Sequence, residues 1–94
     1  MSRDNGVTIH QYKTWPEYFE AVLAGQKNFE YRRDDRPGPA PKVGDTLLLR
    51  EWDNVKKRYT GRKLSRTVTY RLWIEDSDCF VAGFCPEQTI RSPR

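Results

Sequence analysis

The sequence predicts an α+β domain with a mainly antiparallel sheet and one helix. Three observations carry that expectation. Several short runs alternate apolar and polar residues and are rich in β-branched and aromatic side chains, as half-buried strands are. One stretch, Trp15 to Leu23, spaces its apolar residues for a helix face. Clusters of glycine, proline and aspartate punctuate the runs. The order is one strand, one helix, then four strands.

The elements are justified in turn. Met1 to Gly6 is polar and reads as a frayed start. Val7 to Tyr12 reads as the first strand, with Val7 and Ile9 inward. Tyr12 breaks that parity, which places a bend near His10. Thr14-Trp15-Pro16-Glu17 reads as a capping box, the Thr14 hydroxyl accepting the Glu17 N–H and the Glu17 carboxylate reaching back. Pro16 suits a first turn, where its missing N–H has no helical partner. The helix runs to Ala24, with Trp15, Phe19, Val22 and Leu23 on its core stripe. Gly25 stops it, because glycine takes a left-handed backbone cheaply.

Asn28 to Arg33 is the second strand. Period two puts Phe29 and Tyr31 on one face, taken as the core face, and Asn28, Glu30 and Arg32 on the other. Residues 34–45 contain Pro37, Pro39, Pro41 and two glycines and cannot be regular. Val43-Gly44-Asp45 turns into strand three, Thr46 to Trp52, which is apolar on both faces at its start and therefore central. Asp53 to Gly61 reads as a basic hairpin loop carrying Lys56, Lys57 and Arg58. Arg62 to Ile74 is strand four, with Leu64, Val68, Tyr70, Leu72 and Ile74 on one parity and the inward face starting near Val68. Arg71 and Trp73 point the other way. Cys79 to Phe84 is the last strand, and residues 86–94 read as a flexible tail. The whole of residues 1–94 forms a single domain, with an ordered core over about 7–85.

Composition narrows the chemistry. Hydrophobic residues are 36% of the 94, so the core is small and leans on three Trp, five Tyr and four Phe. The net charge is +4, and the cations are mostly arginine, whose planar fork fits phosphate and stacks on flat rings. Nucleic acid or a nucleotide is a natural partner, although many basic proteins bind neither. Cys79 and Cys85 form no C-x-x-C and His10 is the single histidine, so no metal or other cofactor is expected. The two thiols read as reduced and buried, in a cytoplasmic protein. No apolar run approaches the roughly 20 residues that span a bilayer, so no membrane partner is expected. Ser65 and Ser77 lack a nucleophile motif, and no glycine loop is built to cradle phosphate.

The densest chemistry lies in Gly25-Gln26-Lys27-Asn28-Phe29-Glu30-Tyr31-Arg32-Arg33. Glu30 and Arg32 are close enough on one strand face to pair, and Lys27, at the junction before the strand, can reach either. The plain alternative is a salt-bridged strand with a solvated face. Gly25-x-Lys27-x-x-Glu30-x-Arg32 resembles the G-x-K-x-x-E-x-R signature of the ASCH domain, a branch of the PUA-like superfamily. His10-Gln11-Tyr12-Lys13, Trp15 to Val22, Asp35-Arg36, Val43-Gly44-Asp45, Leu49 to Trp52 and Tyr59 to Arg62 follow the same order. Together they resemble a bacterial and phage subfamily of ASCH-like domains of unknown function, over about residues 9 to 84. The resemblance implies a small PUA-like β-barrel of about five mostly antiparallel strands, capped by the helix after strand one. It also makes residues 37–42 a local insertion.

The resemblance implies two functions. The first is an RNA- or nucleotide-binding module that receives single-stranded nucleic acid or one base in a basic cleft beside the barrel. Such a cleft needs cations for phosphate, a flat ring for stacking and a polar group for the base edge. Lys13, Lys27, Arg32, Arg33, Arg36, Arg50 and Arg62 are the candidate cations. Trp52 and Tyr59 are candidate rings, although Trp52 reads equally well as core. Glu30 can accept from an exocyclic amine, with Glu51 a further acidic candidate. The alternative is a hydrolase of the ASCH type, acting on acetylated cytidine or as a ribonuclease, with Lys27 and Glu30 catalytic. Glu30 stands where the amidohydrolases of that family have threonine, and a carboxylate there opposes use of Lys27 as a base. Their later catalytic glutamate has no clear counterpart, Glu51 and Glu75 being the nearest. His10 matches the family's opening histidine and is a minor cleft candidate, though a satisfied strand residue is its plainer reading.

Overall fold

The computed structural model describes residues 6–86. Residues 1–5 and 87–94, most of the expected frayed start and tail, lie outside the described residues. The elements are β1 (Ile9–Thr14), α1 (Pro16–Leu23), β2 (Phe29–Arg33), β3 (Thr46–Asp53), β4 (Arg58–Trp73) and β5 (Cys79–Phe84). They form a small α+β unit with a five-stranded mixed sheet in the order β1-β3-β4-β5-β2. The β1–β3 pair is parallel and the other three are antiparallel. β4 is long enough to serve two partners. Its first half pairs with β3 and its second half with β5. As expected, β3 is central, between β1 and β4.

The sheet does not close into the expected barrel. Its edges, β1 and β2, share no ladder among the described residues. Arginine side chains bridge the gap instead. Arg32 donates to the Lys13 carbonyl at 3.1 Å, and Arg36 donates to the Gln11 carbonyl at 2.6 Å. Both guanidinium groups stand over the Tyr12 ring, at 4.6 and 4.1 Å. Carbonyls that a backbone partner would have taken are thus satisfied by charged donors.

The core lies between α1 and the inner sheet face. Tyr12, Val22, Leu47, Leu49, Val68 and Phe80 are its centre, with Ala82 and Phe84 of β5. Helix and sheet are also clipped electrostatically. Arg62 holds the buried Glu51 in a two-pronged contact, Nε to Oε1 at 2.9 Å and an Nη to Oε2 at 3.1 Å, and also pairs with Glu20 of α1. Buried Arg66 donates to the Val22 carbonyl at 3.5 Å, placing a cation at the negative end of α1.

Several expected facings are reversed. In β1 the inward residues are Tyr12 and Thr14, while Val7 and Ile9 are exposed. No capping box forms: Thr14 belongs to β1, its hydroxyl donates to the Tyr12 carbonyl, and Trp15 is the N-cap without a side-chain bond. Trp15 and Leu23 are about half exposed rather than core. Gly25 does end the helix region with φ +79°, as expected. β4 starts at Arg58, earlier than expected, because Asp53 tightens the turn by accepting the Val55 and Lys56 N–H groups. A bulge between Val68 and Tyr70 then flips the parity of β4. Arg66 joins Val68 inside, and Tyr70 and Leu72 face out. Cys79 is half-buried and Cys85 exposed, both free, so the expected pair of buried thiols is corrected.

Candidate functional site

The charged segment after α1 is held by its own turn. Gln26 and Lys27 both donate backbone N–H groups to the Ala21 carbonyl, at 2.9 and 3.0 Å. Lys27 reaches forward from that turn onto the start of β2. Its ammonium donates to the Phe29 carbonyl at 2.7 Å and to Glu30 Oε2 at 2.8 Å. Arg32 Nε donates to Glu30 Oε1 at 3.0 Å.

The facing of β2 is opposite to the expectation. Glu30 is 3% exposed, while Phe29 and Tyr31 are 43% and 57% exposed. The partner strand decides this. Glu30 pairs with Ala82 and Arg32 with Phe80, both on the core face of β5. Phe29 and Tyr31 pair with Gly83 and Val81 on the other face. A buried carboxylate is expensive unless paired, and here each oxygen receives a cation.

The aromatic rings so displaced wall a cleft. Trp15 and Tyr18 of the α1 start, and Phe29 and Tyr31 of β2, surround Lys13, Thr14, Lys27, Glu30 and Arg32. Its volume is about 620 Å³, within the range of small-molecule sites. The Lys27 ammonium lies 4.9 Å from the Phe29 ring centre and 6.0 Å from that of Tyr18. Three cations and one acid give the cleft a net positive charge. A carboxylate has about four acceptor sites, so Glu30 retains capacity for a ligand N–H beside its two partners.

Of the residues predicted for the site, Lys13, Lys27, Glu30 and Arg32 meet here. The others stand elsewhere. Arg36 lines a second hollow of about 290 Å³ with Arg33, His10 and the Pro37 to Pro41 segment. Arg50, Trp52 and Tyr59 cluster on β3 and β4: the Arg50 guanidinium is 4.0 Å from the Tyr59 ring, which meets Trp52 edge-on at 5.0 Å. Glu51 and Arg62 form the clip on α1. The Arg62 guanidinium beside Glu51 holds that carboxyl below its ordinary range despite burial.

In the second hollow, His10 Nε2 lies 2.9 Å from Asp45 Oδ2, so the histidine is a satisfied strand residue. Asp45 also receives the Thr8 and Lys42 backbone N–H groups and the Lys42 ammonium. Burial would raise its carboxyl, but those four hydrogen bonds outweigh it and hold it far below the usual carboxylate value.

Sequence reasoning missed the four rings of the cleft wall. Each was assigned to the core or left unassigned because it is large and apolar. The available signal was their number: Trp15, Tyr18, Phe29 and Tyr31 exceed what so small a core can cover.

Among the described residues, no helix is long and apolar enough to cross a membrane. Residues 9–85 match the family described as Domain of unknown function (DUF3850). The chain is also similar to the uncharacterised 12.9 kDa protein in the GpA 3' region of Escherichia phage P2. The two are 40% identical over 72 residues, which cover 72% of this chain and 62% of the phage protein. The chain therefore spans less than two thirds of the length of that curated relative.

Proposed function

The chain belongs to the DUF3850 family, and we propose that it is an RNA- or nucleotide-binding module whose site is the cleft around Glu30. One observation carries this reading. A buried carboxylate, bonded on one oxygen by Lys27 and on the other by Arg32, sits among four half-exposed aromatic rings. The rings offer stacking surface for a base, worth about 1–3 kcal/mol per stacked base. The cations suit the sugar-phosphate. The remaining acceptor capacity of Glu30 suits an exocyclic amine. The resemblance of Gly25-x-Lys27-x-x-Glu30-x-Arg32 to the ASCH signature supports the same reading.

Binding is favoured over hydrolysis by the state of Lys27. Its ammonium donates to a carbonyl and a carboxylate, the arrangement of a positioned cation and not of a general base. Trp15 on the cleft wall is a built-in reporter. Titrating a panel of nucleosides and nucleotides should quench tryptophan fluorescence, and Trp15→Phe should remove the signal. The double variant Lys27→Ala/Glu30→Ala should lose at least about tenfold in affinity, about 1.4 kcal/mol. Unchanged affinity in a folded double variant ends the proposal. Product from acetylated cytidine or short RNA, lost in Lys27→Ala, replaces binding with hydrolysis.

A further inference from the structure

The outer face of the β1-β3-β4 half of the sheet carries a feature the cleft does not explain. Lys13 of β1 pairs in register with Arg50 of β3, and Arg50 with Lys63 of β4. Paired residues on neighbouring strands point to the same face. Three cations therefore stand side by side, although like charges directly opposite are unfavourable. The two rows below, Gln11–Leu48–Ser65 and Ile9–Thr46–Thr67, contain no carboxylate to neutralise them. The nearest acid in sequence, Glu51, points to the other face and is held by Arg62.

Rings lie among these cations. The Lys13 ammonium is 3.8 Å from the Trp52 ring centre, and Arg50 stacks on Tyr59, which is 39% exposed. α1 packs on the opposite, inner face, where Val22 meets Leu47 and Leu49. Lys13 also lines the cleft, so the cleft and the cationic row are continuous.

We propose that the ligand is a single-stranded nucleic acid several nucleotides long, with one nucleotide in the cleft and its neighbours running across Lys13, Arg50 and Lys63. This rests on the cleft reading above and deepens it from a nucleotide to a strand. Strands about 4.8 Å apart put the row at about 10 Å. Phosphates of a strand whose bases stand on protein rings lie farther apart than the about 3.4 Å rise of a duplex strand, so the row can engage about two phosphates. Tyr59 provides a second stacking surface beside them. A charge-only row without rings would suit any polyanion. The interleaved aromatics favour a strand with exposed bases over an acidic peptide.

The test compares a ribonucleoside monophosphate with the homopolymeric hexanucleotide of the same base. Mononucleotide binding is read by tryptophan fluorescence, and strand binding by anisotropy of a labelled hexanucleotide. The hexanucleotide should bind at least about tenfold tighter. Lys63→Gln should weaken the hexanucleotide about threefold or more and leave the monophosphate unchanged. It should also reduce the salt slope of strand binding by about 0.7, the value for one phosphate contact on a single strand. Equal affinity for the two ligands overturns the row and leaves the cleft standing. Strand binding that falls with Lys63→Gln but survives Lys27→Ala/Glu30→Ala keeps the row and overturns the cleft. Hexanucleotide binding indifferent to both Lys63→Gln and Arg50→Gln overturns the row. Equal competition by a polyglutamate peptide overturns the assignment to nucleic acid.

Discussion

Replacing Glu30 with glutamine isolates the charge at the base of the cleft from its shape. The side chain keeps its length and one carbonyl oxygen. Its new amide group can only donate, and it must face either Lys27 or Arg32, which also donate. One buried charge-assisted hydrogen bond is therefore lost, an effect of about 1.5–3 kcal/mol. Breaking a fully buried pair costs about 3–5 kcal/mol. Here the lower figure applies, because the side chains of Lys27 and Arg32 are 19% and 29% exposed and can turn toward water. We expect a loss of about 2 kcal/mol, which for a domain of this size lowers the melting temperature by about 10 °C. Thermal melts at neutral pH, followed by circular dichroism, read this directly. Glu75→Gln is the control, an exposed turn carboxylate whose removal should stay within about 0.5 kcal/mol. If the two variants melt together, Glu30 is not a buried, doubly paired acid, and the account of β2 is wrong.

Other outcomes follow from the same geometry. Asp45 stays ionised in the native state at pH values where an unfolded aspartate, near 3.9, takes a proton. Its contribution is full above about pH 5 and is lost as pH falls below that toward its low native value. Urea melts at neutral and acid pH should show Asp45→Asn costing about 2 kcal/mol at neutral pH with a flatter acid limb; an unaltered limb removes Asp45 as its source. Arg62→Ala leaves Glu51 with Thr60 alone. Because Arg62 is itself nearly half in solvent, which screens the pair, the loss should be only about 1 kcal/mol. Nucleotide affinity should stay within about twofold, and a larger fall would return Arg62 to the binding site. Gly25→Ala should cost about 1 kcal/mol through its φ of +79° alone, since the nearest atom to an added Cβ is Pro86 Cβ at 3.7 Å. A melt unchanged by that substitution would show that the turn before Lys27 does not need a left-handed residue.

The elements were legible because each rests on local chemistry. A continuous apolar run marked β3, glycine marked the end of α1, and prolines marked the loop before β3. Side-chain facing was legible only in part, as with Phe19 and Val22 on α1 and Val68 on β4. On β2 the rule that rings go inside gave the wrong side. Glu30 is inside because Ala82 and Phe80 are its cross-strand neighbours and because two cations meet its oxygens. On β4 one bulge residue reversed every facing beyond it, and nothing in the Val68-Thr69-Tyr70 run marks that insertion.

The candidate site divides the same way. Lys27, Glu30 and Arg32 could be grouped from sequence because they lie within six residues of one another, at and just before β2. Lys13 could be named as a cation, but its place depends on where β1 ends beside β2. Trp15, Tyr18, Phe29 and Tyr31 became a cleft wall only when the two sheet edges stopped short of pairing. The amino-acid sequence by itself set the order of strands and helix and the local concentration of charge, because both depend on residues within a few positions of each other. The tertiary structure alone decided which face of β2 is buried, which cations share a row, and that arginines rather than a ladder span the gap. Those outcomes depend on register between strands distant in sequence, where a shift of one residue exchanges inside for outside.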